Sequence, residues 1–308
     1  MSHSHSHPHS RAAGASGSRL KLALALIASL MLAELAVGVL AHSLALLSDA
    51  AHMLTDAGAL ALALLALRLA RRPPGGQFTF GLRRAEILSA QLNGATLVGL
   101  AVLIVLEGVS RLVHPPDVGG LAVLVVALVG AAVNLVATRV LAGADRSSLN
   151  VEGAFQHILT DLFAFLATAV AGAVILATGF TRADGIAALI VAALMLRAGY
   201  GLLRDSGRVL LEASPRGLDP DEVGRALATE SHVDEVHDLH LWEVSSGFPS
   251  LSAHVLVRRD CDCQAHRRHL SAMLEQRFGI EHSTLQVEHV GDEGVPLEIE
   301  PLHSGQEG

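Results

Sequence analysis

Charged residues are scarce in this chain. Only 17% of its 308 residues are Asp, Glu, Lys or Arg, against 51% hydrophobic, where a soluble domain carries about a quarter charged. An ordinary soluble fold is therefore excluded. A basic excess is also missing: the formal net charge is −8, so no nucleic-acid partner is expected. Cysteine is nearly absent. The two present, Cys261 and Cys263, stand too close for an ordinary disulfide, and so low a count fits a reducing compartment. No cleavable signal peptide is evident, because the first apolar run is span-length and has no small-residue cleavage motif after a short core.

What the chain has instead is long apolar runs and 17 histidines. Runs of about 20 apolar residues are membrane spans. Six are expected, at roughly 20–41, 43–69, 86–112, 118–141, 151–178 and 184–203, giving a six-helix transmembrane domain over 19–208. Arg11, Arg19, Lys21, Arg68, Arg71, Arg72, Arg83, Arg84, Arg139, Arg146, Arg197, Arg204 and Arg208 fall on one side. Arg111 and Arg182 fall on the other. The positive-inside rule then places both termini in the cytoplasm of a multi-pass protein of the inner (plasma) membrane. Before the spans, residues 1–18 (MSHSHSHPHS, then RAAGASGS) cannot bury a core and are expected to be disordered. This leader either gathers metal or is a neutral solvated tail.

Inside the second run, HSLALLSDAAHMLTDAGAL carries Asp49, His52 and Asp56. A charge at bilayer depth costs several kcal/mol and marks function or a partner. His52 and Asp56 are four residues apart, hence one turn apart on one helical face. The fifth run repeats the spacing with His157 and Asp161 in NVEGAFQHILTDLFAFLAT. Two imidazoles and two carboxylates make a tetrahedral cage suited to a divalent metal, and mixed N₂O₂ ligation favours Zn²⁺, with Cd²⁺ or Co²⁺ as lesser substrates. Protons compete with metal for those same atoms, so the cage suits proton-for-metal exchange by alternating access. Asp49 is expected in a supporting role or on the access route, or as a helix-end carboxylate reaching solvent. Glu34, Asn93 and Asn134 are expected to hydrogen-bond between helices, and Glu107 to pair with Arg111. A membrane-embedded hydrolase is disfavoured: His-Glu-x-x-His is missing, and four ligands close the shell against water.

After Arg208 the composition turns mixed. Asp219-Pro220-Asp221-Glu222 is a helix start: an N-cap Asp, a first-turn Pro and early acids. HDLHLWEV and LSAHVLV alternate as strands around the turn SSGFPS, 262–278 is an amphipathic helix closed by Gly279, and STLQVEHV is a third strand. Residues 209–290 are thus a small two-layer α+β domain. Residues 291–308 are an acidic tail expected to be disordered. Alternation puts His254 and Glu288 on the face opposite the apolar side chains, with His240 on the first strand and His282 before the third.

Together HSLALLSDAAHMLTDAGAL, FTFGLRRAEILSAQLNG, NVEGAFQHILTDLFAFLAT, LHLWEV and LSAHV resemble the zinc-transporting members of the cation diffusion facilitator family, over nearly the whole chain from about 20 to 290. The resemblance implies six spans with a cytosolic, ferredoxin-like, metallochaperone-like domain, a homodimer in the lipid bilayer, and exchange of Zn²⁺ for H⁺. It puts the transport ligands on His52, Asp56, His157 and Asp161. It also implies further metal at the dimer contact of the tail domain, through residues such as His240, His254 and Glu288. His282 and the pair Cys261 and Cys263 stand equally well as ligands or as exposed groups. The family's His-rich connection between the fourth and fifth spans is here only AGADRSS.

Overall fold

A computed structural model describes residues 8–40, 44–114 and 120–291; within them the side chains of 8–15, 34, 37–38, 44–52, 55, 120 and 122–123 are outside the description. The chain divides into a helical unit and an α/β unit that begins at Ser214.

The helical unit has six long helices: α1 (Pro8–Leu40), α2 (Leu44–Ala70), α3 (Ala85–Val113), α4 (Gly120–Ala142), α5 (Leu149–Thr178) and α6 (Arg182–Leu210). Among the described residues, stretches of five of them, all but α2, are long and apolar enough to cross a membrane. α2 is the sixth, 27 residues long. Two boundaries differ from the expected spans. α1 starts at Pro8, inside the leader expected to be disordered, since Pro is tolerated in a first helical turn. Ser16, also in that leader, is buried, and its hydroxyl accepts a hydrogen bond from the Asp145 N–H at 3.0 Å. α6 runs on to Leu210, past the apolar stretch, and Ser206 in the added turns is fully buried.

α1, α2, α4 and α5 form one core, in which Leu20, Ile27, Met53, Leu60, Leu141 and Ile158 are almost entirely buried. α3 and α6 pack closely along their length around Leu97, Ala101, Val191 and Met195. Their approach depends on glycine. A methyl on Gly199 would stand 2.9 Å from the Gly94 carbonyl, and one on Gly185 would stand 3.0 Å from the Gly108 carbonyl. Small residues let membrane helices touch backbone to backbone. On each helix the two contact points are four turns apart, about 21 Å of axis.

The α/β unit has α7 (Pro220–Ala228), β1 (Val233–Glu243), β2 (Pro249–Val257), α8 (Cys263–Phe278) and β3 (His282–His289). β1 and β2 are antiparallel, β2 and β3 parallel, in the order β1-β2-β3. α8 is the crossover a parallel pair requires. The expected caps are present: the Asp219 carboxylate accepts from the Asp221 N–H, that of Asp262 accepts from the Gln264 and Ala265 N–H groups, and Gly279 closes α8 in the left-handed region at φ 68. Leu251, Ala253, Val255 and Val257 face the helices and join Leu270 and Leu274 in a buried core.

Candidate metal centre

Asp56 on α2 and His157 and Asp161 on α5 meet inside the first helical core. They are 5%, 1% and 6% exposed, so each must be satisfied by the others or by a ligand. His157 Nε2 is 2.9 Å from Asp56 Oδ1 and 3.9 Å from Asp161 Oδ2. One ligand atom from each of the three lies within 4.8 Å of the others. His157 Nδ1 is buried without a hydrogen-bond partner among the described residues, so on that side the ring lacks the orienting hydrogen bond that ligating histidines usually have. His52 and Asp49 stand on α2, but their side chains lie outside the described residues, as does that of Glu34.

What aligns α2 with α5 was not visible as a motif. Asn150, fully buried, donates from Nδ2 to the Ala63 carbonyl at 2.8 Å. Asn150 precedes His157 by seven residues, and Ala63 follows Asp56 by seven. Seven residues is about two turns. The bond therefore pins the antiparallel pair two turns from the Asp56–His157 contact. The one available signal was a polar residue at the buried start of an apolar helix, on the face of His157.

The other polar expectations divide. Glu107 pairs with Arg111 at 2.9 Å as expected, and Arg111 also reaches Asp184 at 2.5 Å. Asn134 turns back to its own helix, donating to the Gly130 carbonyl at 3.1 Å instead of crossing to another, because the i−4 carbonyl is within reach. Asn93 Nδ2 is buried with no hydrogen-bond partner among the described residues. Between α4 and α5, the Arg146 guanidinium sits bidentate on Glu152 at 2.6 and 3.1 Å and lies over the Phe155 ring. Those hydrogen bonds raise its pKa further.

In the α/β unit, His240, His254 and Glu288 share the outer face of the sheet, as alternation requires. In the single chain they do not converge on one point. His240 Nε2 is 3.0 Å from Asp238 Oδ1, and His254 Nε2 is 4.0 Å from the other oxygen of that carboxylate. The His237 ring lies edge-on to His254, with centroids 5.3 Å apart. Asp238 has φ 52 at a register shift between His237 and His240; both residues were missed, since a bulge resets the alternation that sequence reasoning relies on. Glu288 is held by Gln286. His282 is exposed at the far end of β3, against the Phe248 ring. The two thiols have different neighbours. Cys263 Sγ is 3.4 Å from His289 Nε2, whereas Cys261 groups with His232 and Asp260. Burial and then Asp260 push the Cys261 thiol pKa up, and burial, then His269 and His232, lower that of His266.

A bundle of span-length helices with ionisable side chains gathered in its core defines a class: a multi-pass membrane protein that passes cations. Residues 20–211 match the cation efflux transmembrane domain, and 215–290 the cytoplasmic domain of cation efflux proteins. The chain belongs to the cation efflux, or cation diffusion facilitator, family; it is a metal efflux transporter and not an enzyme. It is 37% identical over 268 residues to the cadmium, cobalt and zinc/H(+)-K(+) antiporter of Bacillus velezensis, covering 85% of each chain. It is 40% identical over 265 residues to the metal cation efflux system protein CzcD of Cupriavidus metallidurans, covering 85% of this chain and 84% of the relative. It is 39% identical over 264 residues to the zinc transporter ZitB of Escherichia coli, with the same coverage. Among solved structures, the metal-bound C-terminal domain of the Cupriavidus metallidurans CzcD transporter is 33% identical, covering 23% of this chain and 99% of that one with a TM-score of 0.22.

Proposed function

We propose that this chain exports Zn²⁺ from the cytoplasm in exchange for H⁺, at a transmembrane site made of His52, Asp56, His157 and Asp161. The observation that carries this reading is the buried convergence of Asp56, His157 and Asp161 on two helices. His52, one turn from Asp56 on α2, supplies the second imidazole, and Asp49 lies on the access route. The 2.9 Å contact between His157 and Asp56 is the proton-holding arrangement. Metal requires a neutral imidazole and ionised carboxylates, so a metal enters as that proton leaves. Exposed alternately to each side, the site loads metal where protons are few and releases it where they are many. The relatives named for zinc, cadmium and cobalt support the substrate class, and the cytoplasmic-domain match supports a homodimer.

The arginines support an inner-membrane placement with both termini in the cytoplasm. At the sparse end, Arg111 is held by Asp184 and Glu107, and Arg182 Nε donates to the Leu112 carbonyl at 3.1 Å. Both outer cations are thus engaged in tying α3 to α6, and the surplus of positive charge stays at the opposite end. The test is zinc flux into proteoliposomes under an imposed pH gradient. Uptake should follow the gradient and vanish in Asp161→Asn. Flux that ignores the gradient, or survives His157→Ala, would refute exchange at this site.

A further inference from the structure

We propose that the α/β unit carries a separate thiolate site for a soft or borderline divalent cation, made by His232, Asp260 and Cys261. The strand register builds it. β1 and β2 pair antiparallel with Val233 opposite Val257, so the residue before β1 lies beside those after β2. The Arg258 N–H donates to the His232 carbonyl at 3.1 Å, and the Cys261 N–H to the Arg258 carbonyl at 3.1 Å, which folds Asp260 and Cys261 back toward His232. His232 Nδ1 is then 3.9 Å from Asp260 Oδ1, and ligand atoms of all three residues lie within 4.8 Å of one another.

In a tetrahedral zinc shell with bonds of about 2.0–2.3 Å, ligand atoms stand roughly 3.3–3.8 Å apart. Closing the group on a metal therefore takes shifts of about 1 Å, which the exposed His232 and Asp260 side chains are free to make. One thiolate, one carboxylate and one imidazole neutralise a divalent ion. Sulfur with nitrogen selects Zn²⁺ and Cd²⁺ over the hard cations. A fourth candidate ligand, a second imidazole nitrogen, stands close by. His266, on the first turn of α8, lies edge-on to His232 with ring centroids 6.4 Å apart, and its Nε2 is buried without a hydrogen-bond partner among the described residues. Cys263 is outside the group, at His289. The motif Cys-x-Cys is thus split between two environments and does not act as one chelate.

The experiment is a Cd²⁺ titration of the full-length protein in detergent, followed by thiolate-to-cadmium charge-transfer absorption in the ultraviolet. The transmembrane ligands contain no sulfur, and the chain has only two cysteines, so the signal is blind to the transport site. Its failure leaves the transport reading standing, and the reverse also holds. The band should saturate at one ion per chain, disappear in Cys261→Ser and persist in Cys263→Ser. His232→Ala should weaken binding about tenfold or more. A band that survives Cys261→Ser, or is lost in Cys263→Ser, or is unmoved by His232→Ala overturns the site. As a check independent of folding in the first variant, Zn²⁺ should slow alkylation of Cys261 in Cys263→Ser, and His232→Ala should remove that protection. Equal alkylation with and without zinc counts against the proposal.

Discussion

Asn150 touches no ligand of the proposed transport site, yet its removal should weaken transport. Its amide donates to the Ala63 carbonyl at 2.8 Å in a fully buried position. Hydrogen bonds between membrane helices average about 0.6 kcal/mol and reach about 1.7. If that link sets how α2 presents Asp56 to His157, its loss shows as the same free energy in apparent zinc affinity. That is about 3- to 18-fold, at tenfold per ~1.4 kcal/mol. The assay is initial zinc uptake in proteoliposomes, with KM and Vmax separated, for Asn150→Ala and Asn150→Asp. The pair separates two explanations. Lost volume alone would leave Asn150→Asp near wild type, because the side chains are nearly isosteric. Loss of the donor makes Asn150→Asp the worse variant, since a carboxylate would face the Ala63 carbonyl with no hydrogen to offer. If Asn150→Asp transports with unchanged KM, the inference that this bond aligns the helices is wrong.

Other perturbations are simpler. Gly199→Leu should separate α3 from α6 and destabilise the helical unit by several kcal/mol, as overpacking does, read as loss of the folded fraction in detergent; a wild-type melting curve would contradict the close approach. Asp262→Ala should lower stability by about 1 kcal/mol through loss of the α8 N-cap, checked by circular-dichroism melting. Arg146→Ala should cost about 0.5–1 kcal/mol, because the pair with Glu152 is part-exposed and screened while Phe155 adds a cation–π contact. Raising salt should shrink that difference, and a salt-independent loss would point to packing.

The meeting of Asp56 with His157 and Asp161 was legible because helical period sets His157 and Asp161 on one face and an apolar setting leaves a buried carboxylate few other partners. The six helices and the order helix-strand-strand-helix-strand were legible for a similar reason: apolar length, capping residues and alternation are local signals. The Asn150 bond was not legible, because its acceptor is a backbone carbonyl, and Ala63 has no side-chain signature. His232 was hidden for a topological reason. It lies far from Cys261 along the chain, and only the register of β1 on β2 brings them together. The start of α1 was misplaced because a leader of Ser, Gly and His has no periodicity, while Ser16 is buried by its partner Asp145 and not by its own hydrophobicity.

The paired glycines of α3 and α6 constrain how the transporter can work as a machine. Two beams joined at points about 21 Å apart can tilt as one piece but cannot slide past each other without breaking both joints. Whatever rearrangement accompanies efflux, α3 and α6 therefore enter it as one stiff post. Along the chain that post is joined to the four-helix core at three places, the connections to α2, α4 and α5.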